Sequence, residues 1–366
     1  MLTTLSRANS CWLPKLCVSL RVTVRRIMTI TLPDWCRRMR VAAVVAVCTA
    51  LCLRHGVGLE PLRATTSQAG AGASNSLEIL EVRPSFFVIA GAGGNIGVQV
   101  GDDGVVVVDA GTAADAPTVL AAIKRISPKP IRYVINTGPD ADHVGGNEAL
   151  SKAGEKLFSG STLGGGPNPA DLVAPILSAE AVLRHMANFP AGGRPTEVFH
   201  YSRKYMYLNS EAIEVLRQDA AHTDSDVFAF FRRSDVVVAG DVLDTRQFPV
   251  IDVERGGSIQ GEIAALNRLV ELAVPSLPVV TREAGTIVVP GHGRLCDQYD
   301  VVEYRDMVTI IRDRVRDLIK AGRSLPEVKA AQPAKGYMGR YGNPGGAWTT
   351  DRFIEAIYRS LAKEKP

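Results

Sequence analysis

Short runs of apolar residues, separated by turn residues, dominate the chain from Leu77 onward. The first four runs are "LEILEV", "FFVIA", "IGVQV" and "GVVVVDAG", and the turns between them are "RPS", "GAGGN" and "GDDG". Runs of this length bounded by Gly, Pro, Asn and Asp are typical of strands joined by tight turns. The pattern therefore predicts a β-meander at the start of the folded region.

Helical spacing first appears after this meander. The segment "DAPTVLAAIKRI" has helical periodicity, and Pro128 and Pro130 separate it from a predicted strand, "IRYVINT". A polar loop follows, and "NEALSKAG" resumes as a helix. The stretch from Gly160 to Pro195 is rich in Gly, Pro and Asn, so we expect it to be irregular.

The second half of the chain repeats this arrangement in outline. Predicted strands "AIEVLRQD", "DVFAFFRR" and "DVVVAGDVL" precede a helix, "SIQGEIAALNRLVELA", and a strand, "GTIVVPGHG". Two β-rich halves, each closed by a helix and a strand, predict an α/β fold built as a four-layer αββα sandwich. Residues 295–366 have mainly helical periodicity, which indicates a helical C-terminal extension.

Residues 1–73 differ from the rest of the chain in charge and cysteine content. They hold ten Lys and Arg against two acidic residues, a net +8, and five of the six cysteines. An apolar run from Val41 to Leu53 follows Arg37, Arg38 and Arg40, which is the pattern of an export signal and is too short for an ordinary membrane span. We expect a leader and linker over 1–73 and a folded domain over 74–366. The protein would be exported to the periplasm or secreted, or tethered if the leader is not cleaved. A basic leader of another kind is the alternative.

The remaining chain carries −4 of the total charge of +4. It lacks the basic face that binding to a phosphate backbone requires, so we expect no nucleic acid partner. Membrane contact is expected only through an uncleaved leader. Cys296, the one cysteine outside residues 1–73, is interpreted as a structural residue rather than a nucleophile.

Histidines and aspartates cluster where predicted strands stop. They lie in the segments "DADHVGGN", "AHTDSD", "VVVAGD" and "PGHG". Side chains from such positions can converge at one edge of the sheets, and their nitrogen and oxygen atoms are ligands for a divalent metal. The candidate ligands are Asp140, Asp142, His143, His222, Asp241 and His292.

Two other interpretations fail. An EF-hand loop starting at Asp140 would place Val144 and Ser151 where acidic ligands belong. The glycine-rich segment from Gly91 to Gly97 leads into another strand rather than a helix, so we expect a hairpin turn and not a dinucleotide site.

The motifs from Leu77 to Arg294 resemble, in order and context, those of the metallo-β-lactamase fold superfamily of metal-dependent hydrolases. They are "VVVVDAG", "NTGPDADHVGGN", "AHTDSD", "VVVAGD" and "VVPGHG". The resemblance implies a four-layer αββα sandwich with a binuclear site, usually zinc, at one edge. The ligands it implies are His222 at the first metal position, Asp241 as the bridging carboxylate, and Asp142, His143 and His292 at the second position.

The chain departs from the H-x-H-x-D-H motif of this superfamily. Gly138 and Asp140 stand where the two histidines are expected. Gly138 offers no ligand, and Asp140 offers an oxygen. The first position would therefore be held by Asp140, His222 and Asp241, an acidic set that weakens zinc and relatively favours manganese or iron. A mononuclear site is the alternative.

The chemistry that the resemblance implies is hydrolysis of a small-molecule ester, thioester, amide or lactam by metal-bound hydroxide. Asp142 or Asp140 would orient the water or take its proton. The alternatives are a catalytically degenerate binding protein of the same fold and an iron-dependent sulfur dioxygenase. β-Lactamase activity is less favoured, because the histidine pair is broken and Asp241 stands where some antibiotic-hydrolysing members have cysteine. The helical tail, with Tyr337, Tyr341 and Trp348, either covers the mouth of the site or simply packs.

Overall fold

Two β-sheets lie face to face in the computed structural model, which describes residues 77–157, 172–276 and 285–363. The first sheet has seven strands in spatial order: β1 (Glu78–Arg83), β2 (Phe86–Ala92), β3 (Gly94–Val100), β4 (Val105–Val108), β5 (Ile131–Ile135), β6 (Ile176–Ala179) and β7 (Glu197–Phe199). The second has five: β8 (Arg203–Leu208), β9 (Glu211–Arg217), β10 (Val227–Phe231), β11 (Val236–Asp244) and β12 (Ile287–His292).

The described helices lie between and after these strands. They are α1 (Ala116–Ile126), α2 (Ala141–Val144), α3 (Asn147–Lys152), α4 (Glu180–His185), α5 (Ile259–Leu272), α6 (Gln298–Lys320), α7 (Leu325–Ala330), α8 (Met338–Tyr341) and α9 (Thr350–Lys363). Short 3₁₀ turns occur at Ala191–Gly193 and Lys335–Tyr337.

Connection length sets the strand directions. Strands β1 to β4 are joined by tight turns and pair antiparallel, as do β8 to β11. A helix intervenes between β4 and β5 and between β11 and β12, and both of these pairs are parallel. Parallel neighbours need such a crossover because the chain must return from the end of one strand to the opposite end of the sheet, where the next strand begins. The expected β-meander and the hairpin at the "GAGGN" turn are confirmed by this pairing.

Side-chain alternation along β4 shows how the layers form. Val106 and Val108 point between the two sheets, where they share a buried cluster with Phe86 and Phe231, whose rings lie 4.8 Å apart. Val105 and Val107 point to the opposite face and pack with helix α1. Because β4 is buried on both faces, it is apolar throughout.

The C-terminal helices complete the fourth layer. Helices α5, α6, α7 and α9 pack on the outer face of the second sheet around a cluster that includes Tyr304, Phe248 and Phe353. The rings of Phe248 and Phe353 stack 5.0 Å apart. The four-layer αββα sandwich with a helical C-terminal region is therefore confirmed.

Three details differ from the sequence-based expectation. The described part of the stretch from Gly160 to Pro195 contains β6 and α4, and β7 and β8 were not predicted. Strands of three or four residues are too short to show a period, and β8 alternates charged residues with exposed tyrosines. Asp241 lies inside β11 rather than at its end, because the strand continues to Asp244 after a break in register at Gly240.

The predicted leader lies outside the described residues. No helix among the described residues combines the length and the apolar composition that crossing a membrane requires.

Candidate metal centre

The loop after β5 is fixed by buried hydrogen bonds before it reaches the candidate ligands. The backbone N–H of Thr137 donates to Asp109 Oδ1 at 2.8 Å, and Thr137 Oγ1 donates to Asp109 Oδ2 at 2.6 Å. The amides of Asn136 and Asn147 bond reciprocally at 2.9 and 2.8 Å. The chain then turns into α2, whose N-cap position is Asp140. These bonds set where α2 begins and so where its acidic and histidine side chains lie.

Three candidate ligands form a group that we call the His-rich group: Asp142, His143 and His292. Their ligand atoms lie within 4.8 Å of one another. His292 Nε2 lies 3.2 Å from Asp142 Oδ2, and the two imidazole rings meet edge to face at 5.6 Å. Helix α2 supplies two of these side chains and the end of β12 supplies the third.

The other three form a second group that we call the Asp-rich group: Asp140, His222 and Asp241. Their ligand atoms also lie within 4.8 Å of one another. His222 Nε2 lies 2.7 Å from Asp140 Oδ2 and 3.9 Å from Asp241 Oδ2. His222 comes from the loop between β9 and β10, and Asp241 comes from β11.

Asp241 lies between the two groups. Its Oδ1 is 3.1 Å from His143 Nε2 and 3.3 Å from His292 Nε2, whereas its Oδ2 faces His222. One carboxylate oxygen is thus directed to each group. This is the arrangement that a bridging ligand requires.

Glycine allows this close approach of β11 and β12. A Cβ at Gly291 would overlap Asp241 Oδ1, and a Cβ at Gly240 would lie 2.5 Å from Thr137 Oγ1. Gly240 also has φ of 55°, a conformation that glycine adopts readily. A larger residue at Gly291 would displace the Asp241 carboxylate, and one at Gly240 would displace the Thr137 side chain.

Two of the histidines are oriented by hydrogen bonds to Nδ1. Asp109 Oδ2 lies 2.8 Å from His143 Nδ1, and the carbonyl of Val250 lies 2.7 Å from His222 Nδ1. With the Nδ1 proton donated in this way, Nε2 is the nitrogen available to a metal. Asp109 is buried and has φ of 66°, a strained backbone of the kind that occurs at functional sites. It was not predicted as a site residue, although it lies within the "VVVVDAG" motif.

The charges within the cluster shift the pKa values of both kinds of group. Burial by itself lowers the pKa of His222, but the bond to Asp140 and the nearby carboxylates raise it to about 10. Burial also lowers the pKa of His292, but the hydrogen bonds with Asp142 and Asp241 raise it to about 9. Burial favours the neutral form of Asp140, yet His222 and Arg255 bring its pKa down to about 2. The carboxylates are therefore ionised and attract positive charge, which a divalent cation supplies.

The donor set fits a divalent metal. Imidazole nitrogen and carboxylate oxygen together suit zinc, manganese and iron. His292 Nδ1 is buried and has no hydrogen-bond partner among the described residues, so only its Nε2 is engaged with the cluster. The His-rich group together with Asp241 supplies four candidate ligands, which meets the usual coordination number of protein-bound zinc.

A cleft of about 480 Å³ opens over both groups. We call residues 245–258, which join β11 to α5, the cleft loop. Two arginines of this loop line the cleft. Arg246 is held by Asp244 through two bonds of 3.0 Å, and Arg255 contacts Asp140 at 2.6 Å. Arg255 was not predicted, because no local motif marks it.

The helical extension supports the cleft loop from behind. Trp348 Nε1 donates to the carbonyl of Pro249 at 3.1 Å, and Tyr304 OH donates to the carbonyl of Gln247 at 3.1 Å. Tyr341 is buried against Phe248. None of the described residues beyond His292 lines the cleft. The tail aromatics therefore pack rather than cover the site.

Several other residues that could be considered for a site contribute no ligand to this cluster: Gly138, Cys296, His185 and His200. A Cβ at Gly138 would come no closer than 3.8 Å to Asp226 Oδ1, so the position is open and offers no ligand. Burial raises the pKa of the Cys296 thiol to about 12, which is unsuited to a nucleophile. His185 pairs with Asp224 at 2.6 Å and His200 with Glu180 at 2.9 Å, both away from the cleft.

The four-layer sandwich of two sheets and flanking helices is the metallo-β-lactamase fold. Residues 90–157 match the family model described as the metallo-beta-lactamase superfamily. The predicted resemblance is therefore confirmed, and with it a fold that typically binds divalent metals.

Several solved structures are similar to this chain. A double mutant of the sec-alkyl sulfatase PisA1 has a TM-score of 0.58 and 14% identity, with 79% of this chain and 51% of that chain covered. The stereoselective inverting sec-alkylsulfatase Pisa1 from Pseudomonas sp. has a TM-score of 0.52 and 16% identity, covering 79% and 52%. A metallo-beta-lactamase from Pontibacter korlensis has a TM-score of 0.49 and 17% identity, covering 64% and 99%. The chain spans about half the length of the two alkylsulfatases. No curated protein matches the sequence.

Proposed function

We propose that this protein is a metal-dependent hydrolase that acts on a small molecule entering the cleft. One observation carries the proposal: six candidate ligands from four separate segments meet at one edge of the sheets, and Asp241 directs one oxygen to each group. Ligands so far apart in sequence converge only where the fold brings them together. The superfamily match over residues 90–157 supports the same conclusion.

Asp142, His143 and His292, with Asp241, would hold the metal. A divalent ion held by these residues would supply a water of lowered pKa, toward about 7, and would polarise the bond under attack. The protein contributes the placement of these groups, since Asp109 holds the His143 ring and β12 holds His292.

Asp142 is better placed than Asp140 to orient the attacking water and accept its proton. Its side chain is 35% exposed in the cleft, and it is ionised because its pKa is lowered, first by the hydrogen bond with His292. Both oxygens of Asp140 are already engaged, one by Arg255 and one by His222. A general base needs a free oxygen within reach of the water.

The candidate substrates are esters, thioesters, amides and lactams. Sulfate esters belong in the same panel, because two of the similar structures are alkylsulfatases. We further propose that residues 1–73 direct export, so that the substrate is met outside the cytoplasm. N-terminal sequencing of the protein recovered from cell fractions tests this.

Metal content and turnover together test the hydrolase proposal. The full chain is purified without chelator, its bound metal is measured by elemental analysis, and hydrolysis of the substrate panel is followed. His292→Ala and Asp142→Ala should lose both metal and turnover, whereas His200→Ala, which removes an exposed histidine outside the cleft, should lose neither. If zinc, manganese and iron all fail to bind the wild-type chain, the degenerate binding protein replaces the hydrolase. Oxygen consumption with a persulfide would instead indicate the dioxygenase alternative.

A further inference from the structure

Arg255 reaches into the Asp-rich group. Its Nη1 lies 2.6 Å from Asp140 Oδ1, while Asp140 Oδ2 lies 2.7 Å from His222 Nε2. Arg255 is half-buried and lines the cleft. A permanently charged guanidinium therefore lies directly against a candidate ligand.

The arginine is held in place by its own loop. Asp252 Oδ2 accepts a hydrogen bond from Arg255 Nε at 2.7 Å, and Asp252 Oδ1 accepts one from the Arg255 backbone N–H at 2.9 Å. The backbone N–H of Asp252 donates to the carbonyl of His222 at 2.9 Å. The loop that aims the guanidinium is thus bonded to the same residue that supplies the imidazole of the Asp-rich group.

The His-rich group has no comparable partner. Among the described residues, no Arg or Lys forms an ion pair with Asp142, and the second arginine of the cleft, Arg246, is paired with Asp244. Positive charge for the His-rich group must come from protons on its histidines or from a bound ion.

The Asp-rich group also offers fewer candidate donors to a metal than the His-rich group. Gly138 contributes no donor, and one oxygen of Asp140 is taken by Arg255. The Asp-rich group is left with one oxygen of Asp140, His222 Nε2 and a shared oxygen of Asp241. These three donors, one of them shared, are fewer than the four that the His-rich group offers together with Asp241.

We infer that the protein binds a single divalent ion, in the His-rich group with Asp241, and that the guanidinium of Arg255 takes the place of a second ion in the Asp-rich group. This inference rests on the proposed metal dependence. The guanidinium balances the charge of Asp140 and fixes that carboxylate. It carries only hydrogen-bond donors, so it cannot coordinate a water molecule as a metal ion would.

The number of ions bound by the full chain tests this inference. Wild type, Arg255→Met, Arg255→Lys and Arg246→Met are each equilibrated with Zn²⁺ or Mn²⁺, and bound metal is measured by elemental analysis. Arg246→Met is the matched control, because it removes the other cleft arginine, which contacts neither group. Electron paramagnetic resonance of the Mn²⁺ forms separates an isolated ion from an interacting pair.

We expect one equivalent and an isolated Mn²⁺ signal for wild type, Arg255→Lys and Arg246→Met. Arg255→Met should bind a second equivalent and give the signal of an interacting pair. Two equivalents in wild type, or one in Arg255→Met, would overturn the inference while leaving the hydrolase proposal standing. No bound metal in any form would instead contradict the hydrolase proposal itself.

Discussion

The two halves of the metal centre share Asp241 but obtain positive charge differently. In the His-rich group, no Arg or Lys among the described residues forms an ion pair with Asp142, and Asp109 orients the imidazole of His143. In the Asp-rich group, Arg255 is bonded to Asp140. The His-rich group would obtain its positive charge from histidine protons or a bound ion, whereas the Asp-rich group, in which Gly138 and Asp140 stand where two histidines are expected, has an arginine. The motif that lacks two histidines thus receives a positive charge from Arg255, 115 residues after Asp140.

Separate substitutions of Asp142 and Asp140 should give the largest difference between the His-rich and Asp-rich groups. Asp142→Ala removes a ligand of the His-rich group, so we expect metal affinity to fall by more than the roughly 100-fold that loss of an outer-shell partner costs. Asp140→Ala should keep one bound equivalent. Calorimetric titration with Zn²⁺ measures both, and equal losses in the two variants would contradict the proposed division.

Removal of the carboxylate behind His143 should have the next largest effect. Asp109→Asn weakens the hydrogen bond to Nδ1 and its control of the tautomer, so metal affinity should fall roughly 10–100-fold. Asp224→Asn is the matched control, since Asp224 pairs with His185 outside the cleft. If both variants bind Zn²⁺ as tightly as wild type, Asp109 has no positioning role.

A buried acid near the Asp-rich group gives a pH-dependent test of stability. Glu262 on α5 is fully buried, and neither side-chain oxygen has a hydrogen-bond partner among the described residues. Burial raises its pKa well above the usual value, and the charge of Asp226 adds to this. Near pH 4 the group is mostly neutral in both states. As pH rises, Glu262 ionises first in the unfolded chain, which stabilises the unfolded state. The free energy of unfolding therefore declines until the pH reaches the pKa of Glu262 in the folded protein.

Glu262→Met should therefore raise the free energy of unfolding, and the gain should grow from pH 5 to pH 8 by about 1.4 kcal/mol for each unit of pKa shift. Chemical denaturation at several pH values measures this. A gain that does not change with pH would show that Glu262 ionises normally in the folded protein. Because Glu262 ligates nothing, metal binding in the His-rich group should be unchanged.

The smallest expected effect concerns the support of the cleft loop. Trp348→Phe removes the hydrogen bond to the carbonyl of Pro249 but keeps an aromatic ring, so stability should fall by about 0.5–1.5 kcal/mol. The loss should appear in urea denaturation, and Zn²⁺ affinity should change little. A large loss of Zn²⁺ affinity would mean that the extension controls the His-rich group as well as the loop.

The sequence by itself determined the two sheets, most of their strands and the six candidate ligands. The apolar run in "GVVVVDAG" and the helical spacing in "DAPTVLAAIKRI" are local patterns that can be read along the chain. The motifs placed Asp142 and His143 after one strand and His292 at the end of another, where the fold brings them together. The short strands β6 and β7 gave no such period and were missed.

Only the tertiary structure decided which charges meet. Asp109 lies 34 residues before His143, and Arg255 lies 115 residues after Asp140. Hydrogen-bond direction and distance depend on how the loops pack, and periodicity along the chain carries no information about either. The register break at Gly240, which directs the Asp241 carboxylate between the two groups, likewise arises from the pairing of β11 with β12. The ligands are therefore encoded locally, whereas the electrostatic difference between the two halves is a property of the folded chain.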